Sequence, residues 1–142
     1  SGIIGQTEGT LFVEIDYKDT SDSQYYISIS DGTINNRINV GYDASLDSIY
    51  VFCKVGNVTQ ALMQTTSPAS GVKKIAIGYK LNDYVLYVNG TQIAIDNTAL
   101  VPACSNLEIG SFQSVGFEYP IKQAQIYNTA LTDAELQQLT TI

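Results

Sequence analysis

The sequence predicts an all-β protein, an antiparallel sandwich of the jelly-roll kind with one short helix at its C-terminus. Three observations support this fold class. About nine short segments alternate apolar and polar residues with a period of two, and they recur roughly every ten residues. Pairs of Asn, Asp and Gly separate many of them, and these residues tolerate the positive φ of tight turns. Only one segment carries convincing helix signals.

The predicted strands are rich in Ile, Val and Tyr, which favour the half-buried surface of a sheet. In chain order they are GTLFVEIDY, QYYISIS, RINVGY, SIYVFCKV, KKIAIGYKL, YVLYVNG, TQIAID, LEIGSF and KQAQIY. Tight turns are predicted at Asp31-Gly32, Asn35-Asn36, Asn82-Asp83 and Asn89-Gly90, and a longer loop over 67–71.

The helix prediction comes from the segment ALTDAELQQLT. Thr132 is a helix N-cap, and Glu135 at the third helical position completes a capping box. Leu131 before the cap and Leu136 after the first turn form a hydrophobic staple. We therefore expect a helix over 133–139 whose two leucines pack on the sandwich.

Length and charge exclude several classes of protein. The 142 residues are expected to form one domain over 3–142, with Ser1-Gly2 the remnant of a protease-cleavage site. The net charge is −7, and Lys73-Lys74 is the only adjacent basic pair, so the sequence predicts no nucleic-acid partner. No apolar run approaches the ~18 residues of a membrane span, so no membrane insertion is expected.

The cysteine and histidine counts limit the chemistry. The chain has no histidine, which excludes Ser-His-Asp and Cys-His hydrolysis. Two cysteines cannot supply the four ligands of a closed zinc site. Cys53 lies in an apolar strand, where cysteine commonly acts as a small hydrophobe. Whether Cys53 and Cys104 form a disulfide stays open at this level.

Several motifs resemble a known superfamily over about residues 8–139. The segment IKQAQIYNTALTDAELQQL is similar to the closing strand and helix of concanavalin A-like, laminin-G-like domains. YVLYVNGTQIA resembles their central hairpin, and NLEIGSF the strand that follows. More narrowly, EGTLFVEI, SDGTINNRI and KIAIGYKLNDYVLYVNG together resemble the laminin-G-like modules of bacteriophage tail fibres and virion adhesins. The chain departs from many members in lacking a Trp-His pair before KKIAIGY.

The resemblance implies a concanavalin A-like jelly roll that acts as a non-catalytic, lectin-like carbohydrate-binding module. It also implies a virion location on a phage tail fibre, with host adhesion through a bacterial surface polysaccharide or glycan. Other fibre subunits would be partners, and the parent protein would form a homotrimer. The alternative is a structural or assembly module of the virion that binds no ligand.

A minor alternative is a glycosidase. Glu14-x-Asp16-x-x-Asp19 is similar to the E-x-D-x-x-E strand of laminarinase-type glucanases, in which paired carboxylates cut the sugar chain. Asp19 replaces the final Glu and shortens its reach by one methylene. On a plain strand it would also point away from the other two acids. We therefore expect Leu11, Val13, Ile15 and Tyr17 to face the core, and no enzyme activity.

Strand alternation selects candidate ligand-binding residues. Proteins bind sugars with aromatic rings and with polar side chains that hydrogen-bond the hydroxyls, and this chain has ten tyrosines and no tryptophan. If RINVGY and SIYVFCKV are neighbours, their outward residues form one patch that YYISIS could extend. In the purely structural reading, the arginine of this patch pairs with Asp31 or Asp43. The candidate residues are Tyr26, Arg37, Asn39, Tyr50 and Phe52.

Calcium is the one cofactor that the sequence leaves open. Laminin-G-like domains often bind Ca²⁺ at one rim of the sandwich, and calcium takes six to eight oxygen ligands. No D-x-D-x-D-G loop is present. The candidate metal ligands are Asp43, Asp47, Asp83 and Asp96.

Overall fold

The computed structural model describes residues 2–18, 21–112 and 121–142 in full and residues 115–116 by their backbone. The strands are β1 (Glu8–Tyr17), β2 (Gln24–Ser30), β3 (Arg37–Asp43), β4 (Ser48–Val55), β5 (Val58–Gln64), β6 (Gly71–Lys80), β7 (Asp83–Val88), β8 (Thr91–Asp96), β9 (Asn106–Ile109), β10 (Ser111–Phe112), β11 (Val115–Gly116) and β12 (Ile121–Tyr127). One helix, α1 (Asp133–Thr140), follows them.

Two five-stranded antiparallel sheets pack face to face. Sheet 1 has the order β12-β1-β6-β7-β8, and sheet 2 has the order β5-β4-β3-β2-β9. Strands β10 and β11 form a separate small pair. The predicted jelly-roll class is therefore confirmed. Within the part of the chain that the structure describes, no helix is long and apolar enough to cross a membrane.

The main core lies between the two sheets and follows the period-two pattern. In β1, the four residues predicted to face inward are all buried, whereas Glu14 and Asp16 are half-buried on the opposite face. The neighbouring strands supply the rest of this core, which is dominated by Ile, Val and Tyr. Its largest fully buried members include Tyr17, Tyr26, Tyr79, Tyr84, Ile27, Ile38, Ile49 and Ile75.

Turns join the strands at Asn82-Asp83 and Asn89-Gly90 as the sequence predicts, whereas one connection over 31–36 replaces the two tight turns predicted there, and the turn over 44–47 was not predicted. Asn89 and Gly90 have φ values of 50° and 78° and form a two-residue hairpin between β7 and β8. Asn82 has φ 60° at the β6–β7 turn. A further two-residue hairpin, which the sequence did not predict, joins β4 to β5 through Gly56 (φ 57°) and Asn57 (φ 65°).

The helix has the predicted capping box. The Glu135 N–H donates to Thr132 Oγ1 at 3.3 Å, and the Thr132 N–H donates to Glu135 Oε2 at 2.8 Å. Leu136 is buried in a second cluster on the outer face of sheet 1, with Phe12 and Tyr87. Leu131 and Leu139 pack around this cluster at its margin. The helix therefore covers part of the outer face of sheet 1.

Removal of the N-cap should lower stability modestly. Thr132→Ala deletes the acceptor of the Glu135 N–H and is expected to reduce the free energy of unfolding by about 1 kcal/mol. Urea unfolding followed by circular dichroism measures this loss. Gln138→Ala, an exposed substitution in the same helix, is the control. Equal losses for the two variants would show that the cap does not hold the helix.

Candidate ligand-binding face

The outer face of sheet 2 brings together most of the predicted ligand-binding residues. Strands β3 and β4 are adjacent, and their register pairs Arg37 with Lys54, Asn39 with Phe52, and Gly41 with Tyr50. Side chains at paired positions of neighbouring strands lie on the same face. Arg37, Asn39, Tyr50 and Phe52 therefore form one surface, as the alternation predicts.

Tyr26 does not extend this surface. The β2–β3 register shifts between Tyr25 and Ile27, and this β-bulge turns Tyr26 into the core, where its exposed fraction is 0%. Tyr25 takes the outer position instead, and its ring lies 5.4 Å from the ring of Phe112. The expectation for Tyr26 was wrong because a bulge adds one residue to a strand and reverses the parity of inward and outward positions.

Arg37 lies between two aromatic rings. Its Cζ is 5.0 Å from the centroid of Phe52 and 5.1 Å from that of Phe112, distances typical of cation–π contacts. Its Nε is buried, and among the described residues the guanidinium makes no hydrogen bond or ion pair. The alternative pairing with Asp31 is not formed. The Asp31 carboxylate instead accepts hydrogen bonds from Thr33 and Asn36, and these bonds lower its pKa, with Thr33 making the larger contribution.

Small polar residues form the floor beside Arg37. Asn39 is 1% exposed, and its Nδ2 donates to Ser28 Oγ at 2.9 Å, so its amide supports the sheet from within this surface. Ser28 and Ser30 are buried on β2. Beyond them, Glu108 on the edge strand β9 pairs with Ser28. Its Oε2 is buried without a donor among the described residues. The sequence reading did not find Glu108 or Phe112, which reach this face from a distant part of the chain.

Tyr50 is half-buried at the end of the same surface. Burial is the main cause that raises the pKa of its phenol well above the usual value, and nearby Tyr25 and Asp43 add to this shift. Arg37 acts in the opposite direction. The phenol therefore stays protonated at neutral pH, where it can both donate and accept a hydrogen bond.

Most of the tyrosines serve the core rather than a ligand. Six of the ten are buried in the two hydrophobic clusters, so the tyrosine-rich composition is chiefly a packing property. Half-buried tyrosines in the described part of the chain are Tyr25, Tyr50 and Tyr127. The first two lie on the outer face of sheet 2, which makes this face the better candidate for stacking against a sugar.

The four candidate calcium ligands are split between opposite ends of the sandwich. Asp43 and Asp47 lie at the β3–β4 turn, where Asp47 accepts hydrogen bonds from Tyr42 and Ser67 just before β6 begins. Asp83 pairs with the last residue of β6, and Asp96 with the neighbouring β7. The ten residues of β6 separate the two pairs by roughly 30 Å.

This separation prevents the four aspartates from forming one calcium site. Asp43 and Asp96 each accept hydrogen bonds from a nearby Ser or Thr in local turns. Within the described residues, no group of three or more acidic, Cys or His side chains could hold a metal ion. The expectation failed because sequence spacing does not reveal at which end of a sandwich a turn lies.

The acidic residues of the glucanase-like motif lie on the other sheet. Glu14 and Asp16 are on the outer face of sheet 1, away from Arg37. Glu14 Oε1 accepts a hydrogen bond of 2.7 Å from Gln123 Nε2, and Gln125 continues this ladder along β12. Asp19 lies outside the described residues. The Glu14 carboxylate is thus part of a hydrogen-bonded surface between adjacent strands.

Cys53 and Cys104 are both free and buried. Cys53 Sγ lies 3.4 Å from the Tyr84 hydroxyl, and that hydroxyl donates to the Leu100 carbonyl at 2.7 Å. Burial is the main cause that raises the pKa of the Cys53 thiol to about 11 and of the Cys104 thiol to about 12. Neither thiol therefore has the low pKa of a reactive cysteine.

Two concave regions lie apart from the outer face of sheet 2. A cleft of about 980 Å³ runs beside the N-terminal segment and is lined by 2–6, Cys104, Ser105, Leu107 and Asn128. A groove of about 440 Å³ separates the start of the helix from the outer face of sheet 1. Neither contains an aromatic side chain or any of the predicted ligand-binding residues. Both are therefore weaker candidates for sugar binding than the Arg37 surface.

Comparison with known proteins shows the fold. No protein-family model and no curated protein sequence matches the chain. Among solved structures, the CBM40 carbohydrate-binding module of the Ruminococcus gnavus IT-sialidase has a TM-score of 0.76 at 17% identity. That match covers 96% of this chain and 84% of that chain. The same module has also been solved with α2,3- and α2,6-sialyllactose.

Other matches are parts of larger enzymes or whole lectin-like proteins. The NanB sialidase of Streptococcus pneumoniae gives a TM-score of 0.76 at 15% identity, over 97% of this chain and 25% of that one. Domain 4 of AbnA, an arabinanase of Geobacillus stearothermophilus solved with arabinotriose, gives a TM-score of 0.68 at 13% identity. That match covers 99% of this chain and 69% of that one. A Limulus polyphemus pentraxin also matches. At such identities the similarity establishes a jelly-roll sandwich and nothing finer.

Proposed function

We propose that this domain is a non-catalytic carbohydrate-binding module and that the outer face of sheet 2 holds the saccharide. The observation that carries the proposal is the Arg37 guanidinium, which is stacked between two aromatic rings and has no hydrogen-bonding partner among the described residues. Support also comes from the similar folds solved with sialyllactose and arabinotriose.

The aromatic side chains would make two different kinds of contact. Arg37 approaches the ring of Phe52 at 5.0 Å, and Lys54 Nζ lies 5.9 Å from the same ring. Phe52 therefore positions cations, while Tyr50 and Tyr25 offer ring surface to the apolar side of a sugar. The Tyr50 hydroxyl and the Arg37 donors would hydrogen-bond the sugar's oxygens.

The setting that we propose is a bacteriophage tail fibre or similar virion appendage. The support is the resemblance of several sequence motifs to laminin-G-like fibre modules. In that setting the ligand is a bacterial surface polysaccharide, and the domain faces outward from the virion for host adhesion. Association with other fibre subunits, as a homotrimer, would raise a modest single-site affinity through avidity.

Replacement of the half-buried Tyr50 should weaken binding. Tyr50→Ala removes the ring nearest the end of the surface, and we expect affinity for the bound polysaccharide to fall about tenfold. The measurement is binding of the fluorescently tagged domain to a panel of bacterial surface polysaccharides. Tyr127→Ala, a half-buried tyrosine on the outer face of sheet 1, is the matched control. Equal effects of both substitutions would rule out this face as the site.

The same assay should be insensitive to chelation. The proposed site uses a guanidinium and aromatic rings, and the four candidate calcium ligands lie in two separate pairs. We therefore expect unchanged affinity when EDTA is added. A loss of binding that added Ca²⁺ restores would instead place a cation in the site.

An assembly role is the competing proposal, and one observation favours it. Leu62 on the edge strand β5 pairs with Phe52 and is 48% exposed, so the surface continues as apolar towards the edge of the sheet. A virion structural module would cover this region with another subunit. Failure of a folded, trimer-displayed domain to bind any polysaccharide, together with self-association that Leu62→Ser abolishes, would support assembly instead.

A further inference from the structure

We infer that the outer face of sheet 2 selects an acidic saccharide, with a sugar carboxylate on Arg37 and an adjacent hydroxyl on Glu108. This inference rests on the proposed function and names the ligand class of the same site. It comes from two buried, unsatisfied polar atoms of opposite character on one surface: Arg37 Nε, a donor, and Glu108 Oε2, an acceptor.

The guanidinium is held ready for an anion. Rings at 5.0 and 5.1 Å fix its position, so little side-chain entropy is lost when a ligand binds. A guanidinium carries five N–H donors in a planar fork that matches a carboxylate in a bidentate manner. Since no described residue accepts from Arg37, an incoming carboxylate would satisfy these donors without displacing an ion pair of the protein.

A second cation strengthens the attraction. Lys54 pairs with Arg37 across β3 and β4, and its Nζ lies 5.9 Å from the Phe52 ring. The chain has only seven basic residues and a net charge of −7, yet two of the seven meet at one phenylalanine. A local concentration of positive charge on an acidic protein favours an anionic ligand at this position.

Glu108 limits which anion fits. Strand β2 separates β3 from β9, so Arg37 and Glu108 lie two strand spacings apart, roughly 10 Å between backbones. The intervening residues, Ser28 and Ser30, are small and are themselves buried, so a ring that contacts both charged side chains would lie above them. A substituted sugar ring can bridge this gap. Its hydroxyl would donate to Glu108, whereas a second negative charge there would be repelled. The site therefore suits a sugar residue with one carboxylate at Arg37 and a neutral hydroxyl, not a second anionic group, at Glu108.

The direct test compares one polysaccharide in two chemical states. An acidic bacterial polysaccharide that binds the domain is carboxyl-reduced, which converts each carboxylate to a neutral hydroxymethyl group and leaves the chain otherwise intact. We expect wild-type affinity to fall about tenfold or more, because a charge-assisted pair is lost. Equal affinity for the two forms would overturn the inference while leaving glycan binding intact. Absence of binding to every polysaccharide would instead refute the proposed function.

Variants assign the preference to particular residues. Arg37→Gln should bring the affinity ratio of native to reduced polysaccharide close to one and remove most of the salt dependence. Lys80→Gln removes the same charge from an exposed position of sheet 1 and should preserve the ratio. Urea midpoints confirm that both variants are folded, and the wild-type comparison stands even if one is not. Exclusive binding of sulfated or phosphorylated chains would overturn the carboxylate assignment.

Discussion

Alanine at position 41 is expected to lower the free energy of unfolding by about 3 kcal/mol or more. Gly41 lies in the middle of β3, opposite the bulge of β2, and a Cβ there would collide with the backbone carbonyl oxygen of Gln24. Tyr25 Cα would be only 3.3 Å away. Backbone atoms cannot rotate aside as a side chain can, so the strand pair must separate or lose its bulge.

Thermal and urea unfolding of Gly41→Ala measure this loss. Gly56→Ala is the matched control, because an added Cβ at Gly56 meets no atom within 4 Å and the cost is only that of a left-handed backbone, about 1 kcal/mol. A Gly41→Ala variant no less stable than Gly56→Ala would show that the Gln24 carbonyl of β2 does not lie against the Cβ position of Gly41.

The bulge also connects stability to the binding surface. It places Tyr26 in the core and Tyr25 outside, against Phe112, which in turn packs on Arg37. If Gly41→Ala folds by straightening β2, the parity of these positions reverses. Such a variant should lose saccharide affinity even at temperatures where it remains folded. The glycine within RINVGY is the sequence signal that could have revealed the bulge, since a glycine inside a strand often marks one.

Local signals in the sequence were sufficient for most elements. Eight of the nine predicted strands each correspond to one strand of the structure, LEIGSF is divided between β9 and β10, and the capping box places the helix start at Asp133. The surface of Arg37 and Phe52 was also predictable, because β3 and β4 are joined by a short turn and so must be neighbours. Alternation then decides which side chains share a face.

Features that depend on distant pairing were not predictable. Strand β5 was missed because its last five residues, QALMQ, include no β-branched or aromatic residue, and only Ala61 and Met63 show the inward pattern once β4 pairs with them. Glu108 reaches the binding surface because β9 pairs with β2 across 76 or more residues of sequence. The placement of the four candidate calcium ligands at opposite ends of the sandwich was not predictable for the same reason. Strand order and register are set by tertiary packing, which periodicity in one segment does not encode.

The free energy of unfolding should fall steeply over a narrow range of alkaline pH. Burial raises the pKa of Cys53 to about 11 and of Cys104 to about 12, from an ordinary value near 9.0. Burial likewise raises the pKa of Tyr79 and Tyr84 above the ordinary tyrosine value of 10.0. We therefore expect stability to be constant below about pH 9 and to fall steeply above it.

The sign follows from proton binding. Above pH 9 the unfolded chain releases the two thiol protons while the folded chain retains them, so rising pH favours the unfolded state. Each such group contributes roughly 1.4 kcal/mol per pH unit. Two thiols together should remove roughly 5 kcal/mol between pH 9 and 11, and the tyrosines add to the slope above pH 10. This is comparable with the whole stability of a domain of this size.

Urea unfolding at a series of pH values, under reducing conditions, measures the effect. The double substitution Cys53→Ala and Cys104→Ala removes the first two titrating groups, and it should move the onset of destabilisation from about pH 9 to about pH 10. The cavities left by the thiols lower stability at every pH, so the slope rather than the absolute value is compared. A wild-type protein equally stable at pH 8 and pH 11 would mean that these thiols and phenols are not held protonated in the core.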